Sequence, residues 1–84
     1  MSKFKYEMSD DEAILAFKKQ FTAPGLGVAI LSDKGKSFKL GAPMMTVNVD
    51  FNNGICETKA SLIGKTLLGT VDTKIEMIEG FKKI

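Results

Sequence analysis

From Met45 to Phe51 apolar and polar side chains alternate without a break. Met45, Val47, Val49 and Phe51 fall on one side and Thr46, Asn48 and Asp50 on the other. A period of two belongs to a strand with one buried face. Asn52-Asn53-Gly54 follows, and Asn-Gly best tolerates the positive φ angles of a type I′ turn. The predicted hairpin, Met44 to Leu62, sets Phe51 opposite Cys56, Val49 opposite Thr58, Val47 opposite Ala60 and Met45 opposite Leu62. Its reverse face pairs Asp50 with Glu57, Asn48 with Lys59 and Thr46 with Ser61. A slip of one residue would bring Glu57 and Lys59 onto the apolar side, so the register is strongly specified.

Lys3 to Met8 alternates in the same way and predicts a first strand. Ser9-Asp10-Asp11-Glu12 is a capping box, in which the Ser9 hydroxyl accepts from the Glu12 amide. Asp10 and Asp11 lie where a helix dipole favours negative charge. Ile14, Phe17 and Phe21 recur at helical spacing, and the helix should end near Phe21 or Thr22 because Pro24 disfavours helical geometry at Ala23. Pro24 to Gly27 reads as a turn. Val28–Ser32 and Lys36–Leu40 predict a hairpin around Asp33-Lys34-Gly35, with Ile30 facing Phe38 and Val28 facing Leu40. The last third fits two periods. Val71, Thr73, Ile75 and Met77 alternate, yet Val71, Ile75, Ile78 and Phe81 also form a helical stripe. Length, the Lys82-Lys83 pair and Glu79 four residues before Lys83 favour a helix over about Thr70–Lys83, although Gly80 costs it about 1 kcal/mol relative to Ala.

The order is then β-α-β-β-β-β-α. It predicts one α+β domain over residues 1–84, with two helices on one face of an antiparallel five-stranded sheet ordered 1-5-4-3-2.

Hydrophobic content of 44% with 26% charged residues fits a folded rather than a disordered chain. All twelve basic residues are lysines and the net charge is +2, too slight by itself to imply an anionic partner. Without arginine there is no bidentate fork for phosphate or guanine, which argues against specific nucleic-acid recognition. Histidine is absent, removing the commonest acid–base group and metal ligand. The single cysteine, Cys56, allows no internal disulfide and points to a reducing, cytoplasmic setting. No apolar run approaches the roughly 18–20 residues of a membrane span, and the first residues lack the apolar core of a signal peptide.

Each candidate for chemistry has a plainer structural reading. Gly25-Leu26-Gly27 precedes a strand, the wrong context for a nucleotide fingerprint. Gly64-Lys65-Thr66 resembles the end of a P-loop, but Lys59 stands where that loop needs glycine. Cys56, on the core face, reads as a small hydrophobe. Asp50 and Glu57 face each other on an open sheet without a cleft, which suits a solvated pair better than acid–base work. The Lys34, Lys36 and Lys39 cluster contains Phe38, but that ring is expected inward. No catalytic or metal-binding constellation emerges, and no cofactor is implied.

Strand, helix, four strands and helix together resemble the TBP-like, helix-grip arrangement, in which a curved sheet wraps a C-terminal helix. The hairpin Thr46–Leu62, the Leu62-Ile63-Gly64-Lys65 segment and a helix bearing Lys74-Ile75-Glu76 and Ile78 resemble small proteins of polyhydroxyalkanoate-granule systems. These resemblances bring no catalytic signature. The expected function is non-enzymatic: a module that binds a protein partner or another copy of itself. The alternative is a carrier of an apolar small molecule, in a groove between sheet and C-terminal helix lined by Phe17, Phe21, Met77 and Phe81.

Overall fold

The computed structural model describes residues 2–22, 28–42, 45–61 and 65–84. Their elements are β1 (Ser2–Tyr6), α1 (Asp10–Phe21), β2 (Ala29–Asp33), β3 (Ser37–Ala42), β4 (Met45–Asn52), β5 (Ile55–Ala60), α2 (Lys65–Glu76) and β6 (Phe81–Lys83). The strands form one antiparallel sheet in the order β2-β3-β4-β5-β1-β6. The predicted turn at 24–27, the Met45–Leu62 pair and the Gly64 position fall outside the described residues.

The β4–β5 hairpin sits in the middle of this sheet. Phe51 pairs with Cys56, Val49 with Thr58, Val47 with Ala60, Asp50 with Glu57 and Asn48 with Lys59. Asn53 and Gly54 have φ of 48° and 84°, as a type I′ turn demands. Val47, Val49, Phe51 and Cys56 are buried. Helix α1 starts where the capping box places it, with the Glu12 amide donating to Ser9 Oγ at 3.2 Å. Ala13, Ile14, Phe17 and Phe21 form its buried stripe. They join one core with Val71 and Ile75 of α2 and with Phe4, Tyr6, Phe38, Leu40 and Phe81 of the strands. Both helices therefore cover the same face of the sheet.

Three expectations need correction. The five-stranded sheet ordered 1-5-4-3-2 is a six-stranded one, because β6 pairs with β1 through Phe4–Lys83, Lys5–Lys82 and Tyr6–Phe81. The element order becomes β-α-β-β-β-β-α-β, so α2 is not the last element. The helix expected over Thr70–Lys83 instead begins at Lys65 and stops at Glu76. Gly80, at φ 92°, turns the chain through a conformation that side chains with a Cβ rarely adopt, and Phe81 continues as strand. The alternating stretch Val71–Met77 is therefore helix up to Glu76, and the strand occupies Phe81–Lys83, beyond the alternation. In the β2–β3 hairpin Ile30 pairs with Leu40, and Asp33 rather than Ile30 pairs with Phe38. The register shifts between Ile30 and Ser32, leaving Leu31 as an extra residue of the kind that defines a β-bulge.

Gly80→Ala separates the two descriptions of the last segment. In a continuous helix, alanine would stabilise by about 1 kcal/mol. At positive φ, where the new Cβ would also crowd the Met8 methyl, it should destabilise by about 1–2 kcal/mol. Urea unfolding of the variant reads the sign directly.

Candidate functional site

The best-connected polar group is the Asp10 carboxylate, at the start of α1. It accepts from the Tyr6 hydroxyl at 2.5 Å and from the Gly54 and Asn53 amides at 3.2 and 3.3 Å, with Lys36 Nζ 3.5 Å away. One side chain thus ties the first helix to β1 and to the central hairpin turn. The Tyr6 hydrogen bond and then the Gly54 amide hold the Asp10 carboxyl below its ordinary range. Tyr6 is raised, first by burial and then by that carboxylate. With its hydrogen bonds all made to β1 and the hairpin turn, the carboxylate acts as a structural clamp.

A second carboxylate, Asp72 on α2, is 8% exposed. It accepts from Thr58 Oγ1 at 2.7 Å and from Ser2 Oγ at 2.5 Å, joining α2 to β5 and β1. The wholly buried thiol of Cys56 is pushed up to about 12, first by burial and then by the charges of Asp72 and Asp50. A thiol held protonated at neutral pH is a poor nucleophile.

Of the four residues expected to line an apolar groove, Phe17, Phe21 and Phe81 lie in the core and Met77 lies apart at the surface. Phe17 and Phe21 stack at 4.8 Å between ring centroids, and Phe17 reaches Phe51 at 5.2 Å. Phe81 packs on Tyr6 at 5.4 Å and on Phe51 at 6.5 Å. These three rings belong to the core. Met77 follows α2 and is 67% exposed. Phe38 points inward, with Lys18 Nζ 5.6 Å from its ring centroid. Lys18 also pairs with Asp33 at 2.7 Å and lowers the pKa of that carboxyl.

The uncovered face of the sheet is where the folded chain gathers chemistry that its linear order scatters. Residues directly opposite in an antiparallel ladder share a face, so the register defines rows across it. One row runs Ser32, Lys39, Asn48, Lys59; the next runs Ser37, Asp50, Glu57, Lys3; the third runs Asn52, Ile55, Lys5, Lys82. Asp50 and Glu57 are each engaged separately, Asp50 by the Ser37 hydroxyl at 2.6 Å and Glu57 by Lys3 at 3.8 Å. Five lysines and two carboxylates occupy the three rows, an excess of three positive charges on a chain whose net charge is +2. Sequence reasoning missed this concentration. The only signal for it was the parity of each lysine within its strand, which is uninformative until the register is known. Among the described residues no group of three or more potential metal ligands is present, and no helix is long and apolar enough to cross a membrane.

Two measurements test the clamps. Asp72→Ala strands the buried Thr58 hydroxyl and should cost about 1–3 kcal/mol. In a double-mutant cycle with Thr58→Val, the second change should cost less in the Asp72→Ala background than in the parent. Because the Asp10 pKa is lower folded than unfolded, its contribution is present above the unfolded value of 3.8. It is lost as pH falls through the folded value. Urea titrations from neutral pH into acid should show a shallower acid limb for Asp10→Asn than for the parent.

Compared with known proteins, the chain matches no protein-family model, no curated protein and no solved structure at a significant level.

Proposed function

We propose that this chain is a non-enzymatic protein-interaction domain whose uncovered sheet face docks an acidic segment of another protein. The observation that carries this reading is the five-to-two excess of lysines over carboxylates in the three ladder rows of that face, against which no helix packs among the described residues. Complementary charge steers encounter and sets register more than it adds raw affinity, so the expected association is fast, modest and salt-sensitive. An acidic polypeptide suits the face better than a nucleic acid. There is no arginine, and none of the residues in the three rows is aromatic, so bases would lack a stacking platform.

The sheet edges are less suited to contact. β6 has three residues, two of them lysine, and β2 carries the irregularity at Leu31. Short charged edges and bulges both discourage strand addition, which moves the proposed contact from the edges to the face and favours a different protein over a second copy.

A fluorescein-labelled polyglutamate peptide, with single-stranded DNA and polylysine as comparisons, tests the proposal by anisotropy and amide-shift mapping. Support would be polyglutamate binding that shifts the β3, β4 and β5 amides, weakens with salt and falls at least about tenfold in Lys39→Glu/Lys59→Glu. Shifts confined to the helical side, equal binding by DNA, or no loss in the double variant would overturn it.

A further inference from the structure

One corner of the uncovered face carries a feature that an acidic-segment docking surface does not need. Lys5 of β1 and Lys82 of β6 are direct ladder partners, which places their Cβ atoms about 5 Å apart. Like charges in that position oppose the pairing that β6 depends on. Elsewhere Lys3, Lys18 and Lys36 each meet a carboxylate, at 3.8, 2.7 and 3.5 Å. Among the ion pairs of the described residues, neither Lys5 nor Lys82 takes part. Their next neighbour across the row on β5 is Ile55, which offers no compensating charge.

The same two lysines line a depression of about 330 Å³ together with Glu7, Met8, Gly80 and Phe81. That volume lies at the small end of the range for small-molecule sites. Gly80 matters to its shape. It has no side chain, its φ is 92°, and the Met8 methyl lies against it. The site thus combines two ammonium groups outside those ion pairs with an adaptable thioether and the Phe81 position. Glu7, which lines the same depression, disfavours a multiply charged anion.

We propose that this corner binds a small monocarboxylate with a compact apolar tail, its carboxylate bridging the Lys5 and Lys82 ammonium groups and its tail lying against Met8. Binding would relieve the like-charge pairing and so tighten β6 onto β1. This inference does not depend on the acidic-segment reading, because Lys39 and Lys59 take no part in it.

Amide chemical shifts of the intact chain, titrated with hexanoate and in parallel with 1-hexanol and hexylamine, decide the matter. The expected result is saturable shifts at Lys5, Met8, Gly80, Phe81 and Lys82 with a Kd of about 1 mM or tighter. The alcohol and the amine should have little effect. Lys5→Ala and Lys82→Ala, both at exposed positions, should each weaken hexanoate binding about tenfold, whereas Lys39→Glu/Lys59→Glu should leave it unchanged. An absence of saturation up to about 10 mM, equal shifts with hexanol, or full binding by both alanine variants would overturn the proposal.

Discussion

The structure depends on burying one face of the β4–β5 hairpin. Val47, Val49, Phe51 and Cys56 project from it into a core closed by Phe17 of α1 and by Val71 and Ile75 of α2. Phe51 is the hub, with rings of Tyr6, Phe17, Phe38 and Phe81 within 5.2 to 6.5 Å of its own. Those partners come from β1, α1, β3 and β6. A domain of this size buries a limited fraction of its surface. Its stability therefore rests on a few large side chains packed edge to face and tilted.

Hydrophobic burial is non-directional, and polar contacts supply the geometry it lacks. Asp10 fixes the start of α1 against the hairpin turn, and Asp72 fixes α2 against β5 and β1. Asp10 accepts from the Tyr6 hydroxyl and two hairpin amides, and each Asp72 oxygen accepts from one hydroxyl. Among the described residues no buried side-chain nitrogen or oxygen lacks a partner. Asp10 and Asp72 thus belong to the architecture. The chemistry left available to a partner lies on the other side of the sheet.

That side owes its character to the strand period. Placing every apolar residue of a strand inward sends its alternate residues outward together. In this chain the outward set is rich in lysine. The two edges then differ in kind: β2 is interrupted at Leu31, and β6 is short and doubly charged.

The sequence by itself determined the central hairpin, its turn and the capped first helix, because each is written in contacts between near neighbours. Asn53-Gly54 selects a turn, alternation selects the buried face, and Ser9 with Glu12 selects a helix start. The sixth strand, the bulge at Leu31 and the early end of α2 were decided by tertiary structure. Phe81 satisfies a helical stripe and a strand equally well. Only the β1 edge and the Tyr6 ring available to it make the strand the better place to bury it, with Gly80 permitting the turn. The gathering of Lys3, Lys5, Lys39, Lys59 and Lys82 on one face was likewise invisible in linear order. Strand parity places each lysine on a side, but only the pairing of distant strands makes that side common to all five.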